Sequence, residues 1–126
     1  GVDTLAFEEL TMGADGWVGG LVDAFPVETV AIYQLIKAGK NPQALKIFQW
    51  FFPLLELDTY PKFAQYIKLA ATQTGLGSEY VRAPRLQLME HEREKILMTI
   101  NNALNSRPEI LNYLDTALMV KTGSFD

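Results

Sequence analysis

The chain has 126 residues, of which 48% are hydrophobic, and these values predict one folded domain with a core. Its net charge of -4 is spread without a basic stripe, which argues against nucleic acid, and the absence of cysteine excludes disulfides, thiol catalysis and thiolate metal sites. The longest apolar runs, such as residues 47–57, are too short to cross a bilayer, so we expect no membrane partner. The absence of cysteine fits a reducing compartment, and we expect a cytoplasmic location.

The first predicted element is a helix that begins with a cap at Asp3 or Thr4 and runs to about Met12. Gly13 then suits the left-handed position that ends a helix. Because the chain enters this helix directly from Gly1, without a lead-in, we interpret its start as a sign of processing or truncation.

The next segment contains the best strand candidate of the sequence, formed by Trp17, Val18 and Leu21 between turn residues. Short apolar strands of this kind are typically buried on both faces. A lone strand leaves its N–H and C=O groups unpaired, and no other segment has a strand pattern. Either the strand assignment is wrong, or the partner strands lie on another polypeptide.

A second helix is predicted from about Phe25, with Pro26 in its first turn, to Gly39. The residues expected on its apolar face are Val27, Val30, Ala31, Gln34 and Ala38, widened by Ile32, Leu35 and Ile36. Proline after Asn41 predicts that this asparagine caps a third helix, which runs to about Leu57.

The third helix is apolar around most of its circumference, which predicts burial on several sides, and Pro53 should kink it. Further helices are predicted over residues 61–74, residues 90–105 and from Pro108 onward. Residues 78–89 are expected to form an extended connector, and the residues from Gly123 a frayed tail. The prediction for the chain is therefore mainly α, with one strand and about six helices.

Four glycines, Gly13, Gly16, Gly19 and Gly20, surround the predicted strand. Their spacing does not match a dinucleotide-binding fingerprint, and no lysine follows as in a P-loop. The first two are expected to bracket a turn, and the last two to leave room where another group approaches the backbone. An anion-binding module built on this cluster is the weakest functional hypothesis.

The reactive side chains of the sequence do not form a complete set of catalytic groups. His91 is the only histidine and, together with Glu90, Glu92 and Glu94, is expected on a solvated first helical turn rather than in a metal site. Lys68 is the lysine most enclosed by apolar neighbours, but a surface ammonium is favoured there over a nucleophile.

The aromatic residues between Phe48 and Tyr66 are expected in the core or at a subunit interface rather than around a ligand. Arg82 and Arg85 could bind an anion, but ordinary surface or capping residues are favoured. A helix apolar nearly all round also supports a non-enzymatic helical oligomerisation or interaction module.

The order of the motifs carries more information than any one of them. A helix ending at Gly13, followed by residues 16–20, resembles the seventh helix and eighth strand of the dihydrodipicolinate synthase / N-acetylneuraminate lyase family. The resemblance extends to about residue 106 through these motifs: Lys37-Ala38-Gly39-Lys40, Ala44-Leu45, Pro53-Leu54-Leu55, residues 61–70, residues 75–77, residues 81–86 and Glu90-His91-Glu92-Arg93.

This resemblance implies a (β/α)8 TIM barrel followed by a C-terminal three-helix bundle. It makes residues 1–39 the last barrel segment and residues 40–106 the bundle, with residues 107–126 an extra helix and tail. Members are class I aldolases, commonly homotetramers, that make or break a carbon–carbon bond to pyruvate through a lysine Schiff base on the sixth strand. That lysine, and a proton-relaying tyrosine on the fourth strand, would lie upstream of this chain, which alone is expected to be inactive.

The resemblance also implies a substrate-pocket rim, formed by Gly1, Val2, Asp3, Trp17, Val18 and Gly19. The residue matching Val18 would offer its backbone carbonyl to the pocket, and the residue matching Gly1 would lie near the second substrate. The implied ligands are pyruvate and an aldehyde-type second substrate, with no cofactor and no metal. Because Trp17 and Gly19 depart from the residues commonest on this strand, dihydrodipicolinate synthesis, sialic-acid cleavage and sugar-acid aldol cleavage all stay open.

Overall fold

The structure is a computed structural model that describes residues 2–110. These residues form five α-helices: α1 (Ala6–Thr11), α2 (Pro26–Lys37), α3 (Asn41–Leu55), α4 (Phe63–Gln73) and α5 (Glu90–Asn105). Three 3-10 turns accompany them: Asp3–Leu5, Leu21–Asp23 and Glu56–Thr59. The predicted helix from Pro108, apart from residues 108–110, and the predicted tail from Gly123 lie outside the described residues.

Glycine ends three of the helices, as the sequence predicts. Gly13, Gly39 and Gly75 follow α1, α2 and α4 with φ angles of 108°, 75° and 76°. After α2, Lys40 donates its N–H to the carbonyl of Leu35 at 2.7 Å, which closes a Schellman motif. Because a side chain strains a backbone at positive φ, these glycines determine where the helices stop.

The core is centred on α3, which packs against α1, α2 and α5 and is therefore buried on several sides, as predicted. Its buried residues are Ala44, Ile47, Phe48, Phe51, Leu54 and Leu55. Phe25, at the entry to α2, meets Trp50 and Phe51 edge to face, with ring centroids 5.8 and 5.5 Å away. Phe48, Phe51 and Tyr66 are buried in the core, which is one of the two places expected for the aromatic set, whereas Tyr60 and Phe63 are exposed.

The second half of the described chain is also close to prediction. α4 packs against α5, and residues 78–89 connect them without a helix or strand. The bounds of α5, Glu90–Asn105, agree with the sequence pattern. Among residues 2–110, no helix is long and apolar enough to cross a membrane.

The predicted strand is wrong for the chain as it stands, because the described residues contain no strand. Val18 is 91% exposed instead of buried on both faces. Leu21 is buried, but in the 3-10 turn that leads into α2. A strand is held by hydrogen bonds to a neighbouring strand, and no partner exists within residues 2–110, so the segment stays irregular.

The apolar face predicted for α2 is also partly wrong. Val27 and Val30 are 47% and 46% exposed, whereas Ile32 and Leu35 are fully buried. α2 is apolar on most sides, so periodicity alone does not select the buried face. Packing against α3 selects it, and the Val27–Val30 side is left uncovered.

The predicted helix caps are wrong as well. No side chain caps the Asp3–Leu5 turn, α1 or α3. Asn41 lies inside the first turn of α3, because the preceding Lys40 belongs to the glycine-terminated end of α2. Asp3 uses its carboxylate for a different set of donors, described next.

Candidate functional site

The carboxylate of Asp3 organises the region where the family resemblance implies a pocket rim. Its oxygens accept hydrogen bonds from the backbone N–H of Gly20 at 3.1 Å and of Leu21 at 3.0 Å. The indole Nε1 of Trp17 donates to the same carboxylate at 3.2 Å. Asp3 is fully buried, so these donors replace water around its charge.

This arrangement bears on the anion-binding hypothesis. The N–H groups of Gly20 and Leu21 stand at the start of the Leu21–Asp23 turn, where a helix-like backbone favours an anion. Asp3 already occupies both donors. The anion bound by this glycine-rich segment is therefore a side chain of the same protein.

Two glycines leave the room that this packing needs. A Cβ on Gly19 would lie 3.1 Å from the Asp3 carboxylate and from the Trp17 ring. A Cβ on Gly20 would lie 2.6 Å from Asp58 Oδ1 and 2.9 Å from Ile67 Cδ1. Other groups therefore approach the backbone closely at Gly19 and Gly20, as predicted. These groups belong to the chain itself.

Asp58, in the Glu56–Thr59 turn, is a member of this site that sequence reasoning missed. Burial, and then the charge of Asp3, raise the pKa of the Asp58 carboxyl above its ordinary value of 3.8. Asp3 and Asp58 are 55 positions apart, so no local pattern could have paired them. The sequence offered only an indirect indication that another group approaches here, namely the second glycine at position 20.

The other predicted rim residues lie on the outer side of the same segment. Val2 is half exposed and Val18 almost fully exposed, and Gly1 lies outside the described residues. Trp17 lines a shallow groove of about 290 Å³ with Val22, Val30 and neighbouring residues. The structure thus brings Asp3, Trp17 and Gly19 together and leaves the two valines facing outward.

A second polar cluster joins α4 to α5 and corrects one prediction. Glu92 does not simply face solvent: it accepts hydrogen bonds from Lys62 Nζ at 2.7 Å and from the Tyr66 hydroxyl at 2.5 Å. Tyr66 and Glu92, with His91, line a cleft of about 500 Å³. The bond to Lys62, and then that to Tyr66, hold the pKa of Glu92 below its ordinary 4.5.

The remaining candidate residues lie at the surface, as expected. His91, Arg82 and Arg85 are exposed, and Lys68 is half buried on the surface. Within residues 2–110, no group of three or more histidine, cysteine or acidic side chains could hold a metal ion.

Because of the contact between Tyr66 and Glu92, we expect the folded protein to lose stability at high pH. Burial, and then the hydrogen bond to Glu92, raise the pKa of Tyr66 to about 12 from its ordinary 10.0. Because the folded state favours the protonated phenol, this stabilisation is complete below pH 10 and is lost as the pH rises towards 12. We expect the difference in unfolding free energy between wild type and Tyr66→Phe to shrink across this window, as measured by urea unfolding; a constant difference would contradict the assignment.

Comparison with known proteins gives the same family that the motifs suggested. Residues 1–103 match the dihydrodipicolinate synthetase family. The 4-hydroxy-tetrahydrodipicolinate synthase of Methanococcus maripaludis (strain C7 / ATCC BAA-1331) is 28% identical over 102 residues, which cover 81% of this chain and 35% of the relative. The enzyme of that name from Karelsulcia muelleri (strain GWSS) is 28% identical over 107 residues, which cover 85% of this chain and 36% of the relative.

The chain thus spans about a third of the length of these curated relatives. No solved structure matches it significantly. The match nevertheless covers most of the chain, including Asp3, Trp17, Gly20 and Asp58. The chain therefore belongs to the dihydrodipicolinate synthetase family.

Proposed function

We propose that this chain is the C-terminal portion of a lyase or aldolase that makes or breaks a carbon–carbon bond to pyruvate. In this proposal the bond chemistry uses a lysine Schiff base and a relay tyrosine that lie on the upstream part of the parent protein. The second substrate is of the aldehyde type. The proposal is supported by the family match over residues 1–103 and by relatives named as synthases, of which the chain spans about a third.

The observation that carries this proposal is the unpaired segment at residues 16–19. None of its backbone groups makes a hydrogen bond to another residue of the described chain, and Val18 is exposed. Val2, Leu5 and Met12, which precede this segment in the chain, are also exposed apolar side chains. A segment with free backbone groups is suited to pair with further strands supplied by another polypeptide.

In the intact protein, residues 1–39 would close a (β/α)8 barrel and residues 40–106 would form the helical bundle. Gly1, Val2, Asp3, Trp17, Val18 and Gly19 would border the substrate pocket through backbone and shape. Asp3 holds the Trp17–Leu21 segment in place, so its role is to position the rim and not to react. The parent would be a homo-oligomer without a cofactor.

Borohydride trapping with pyruvate tests this proposal. The lone 126-residue chain should give no covalent adduct by mass spectrometry, whereas the full-length parent should give one on a lysine upstream of Gly1. An adduct on Lys68 of the lone chain would contradict the proposal that the Schiff-base lysine lies on the upstream part of the parent protein. A parent that is not modified by pyruvate would contradict the proposed chemistry.

The exposed apolar side chains also favour a second candidate, a non-enzymatic helical oligomerisation module. In that case the chain alone should form a stable homo-oligomer by buried contacts through Leu5, Met12, Val27 and Val30. Sedimentation equilibrium distinguishes the two candidates when it is combined with the trapping experiment. An oligomeric chain from an unreactive parent indicates the module, and a reactive parent indicates the lyase.

A further inference from the structure

Beyond the family-matched residues, the chain folds back onto α2. Arg107 Nε lies 2.5 Å from Glu28 Oε1, across 79 positions of sequence. The same guanidinium lies over the Phe25 ring, with its central carbon 5.4 Å from the ring centroid. Ile110 is also buried in the common core. Arg107 and Ile110 both follow residue 103, where the family match ends.

The carboxylate of Glu28, which pairs with Arg107, is buried. Glu28 is in the first turn of α2 and only 1% exposed. Within the described residues Arg107 is the cation that pairs with it, and Glu28 Oε2 has no hydrogen-bond partner there. The Arg107 side chain itself is 37% exposed, but removing it would leave the buried Glu28 carboxylate without its cation, which is destabilising. The start of α2 therefore depends on a residue from the far end of the chain.

α2 in turn holds the segment of the candidate site. The Tyr33 hydroxyl donates to the carbonyl of Asp15 at 3.1 Å, and Lys37 Nζ donates to that of Ala14 at 2.8 Å. At its other end, the N–H of Phe25 donates to Leu21 O at 2.9 Å. A displacement at the start of α2 would thus be transmitted to residues 14–21.

We infer that residues 107–110 form a clasp that fastens the C-terminal segment across the first turn of α2, with Arg107 on Glu28 as its anchor. The Trp50 Nε1–Ala103 O hydrogen bond, 2.9 Å, brings the end of α5 to the same place. The clasp positions α2, and through α2 the Trp17–Leu21 segment, whatever reaction the parent protein performs. It adds to the family-matched part of the chain a fixed contact that residues 1–103 alone do not provide.

Amide hydrogen exchange on the full chain tests the clasp. Arg107→Ala should lower the melting temperature and raise exchange in residues 29–32 of α2 about tenfold more than in residues 63–73 of α4. The matched control is Arg85→Ala, which removes the same charge from an exposed side chain and should change neither quantity. In the Arg107→Ala background, Glu28→Gln should restore part of the melting temperature because it removes the buried charge.

An Arg107→Ala variant that behaves like Arg85→Ala would overturn the inference, as would an equal rise of exchange in α2 and α4. If Arg107→Ala does not fold, the single variant Glu28→Gln decides instead, because it is isosteric and leaves no buried charge. Loosening of the anchor should then raise exchange in residues 103–107 while α4 is unchanged. Unchanged exchange in residues 103–107 would contradict the clasp.

Discussion

Asp3→Asn should lower the free energy of unfolding by about 3 kcal/mol, since hydrogen bonds to a charged group each contribute about 1.5–3 kcal/mol. The substitution keeps the shape of the side chain but replaces one acceptor oxygen with an NH2 group. That group would face the backbone donors of Gly20 and Leu21 in place of an oxygen of the fully buried Asp3. Urea unfolding followed by far-UV circular dichroism measures the loss.

The control for this prediction is Asp15→Asn, the same change at an exposed carboxylate of the same segment. It should alter the free energy of unfolding by less than about 0.5 kcal/mol. Equal effects of the two substitutions would mean that net charge, rather than the Asp3 hydrogen bonds, sets stability. In the Asp3 variant we also expect the Trp17 fluorescence to change, because its indole then donates to a neutral amide oxygen instead of a charged carboxylate.

Gly20→Ala is expected to lower the free energy of unfolding by about 2 kcal/mol, the middle of the usual range for overpacking a filled site. The new methyl group would lie 2.6 Å from Asp58 Oδ1 and 2.9 Å from Ile67 Cδ1. Relief requires either Asp58 or the backbone to move, and the backbone is held by Asp3. The same urea titration gives the measurement.

Gly16→Ala is the matched control, because a Cβ at position 16 meets no atom within 4 Å. It should leave stability unchanged or raise it slightly by restricting the unfolded chain. If Gly16→Ala were as harmful as Gly20→Ala, backbone freedom and not the contact with Asp58 would explain the glycines of this segment.

The parts of the structure that local chemistry controls could be predicted. The limits of α5 and the glycine-terminated ends of α1, α2 and α4 agree with the sequence, because turns and helix ends depend on residues a few positions apart. The family was also recognisable from the order of its motifs, and the match over residues 1–103 confirms it.

Three of the errors share one physical cause. The predicted strand, the Asp3 cap and the solvated Glu92 each depended on a partner that is distant in sequence. The strand has no partner strand in the described chain. Asp3 accepts hydrogen bonds from Gly20 and Leu21. Glu92 accepts them from Lys62, just before α4, and from Tyr66 within α4.

The helices, the glycines that end them, the family and the lack of thiol groups can be read from the order of the amino acids. The buried face of α2, the carboxylates that are removed from water and the contact of Arg107 with Glu28 follow from packing. Local propensities act over three or four residues, so they specify elements and their ends. The environment of a charge depends on groups brought together by packing from distant positions, and for the segment around Val18 we propose that such groups lie on the rest of the parent protein.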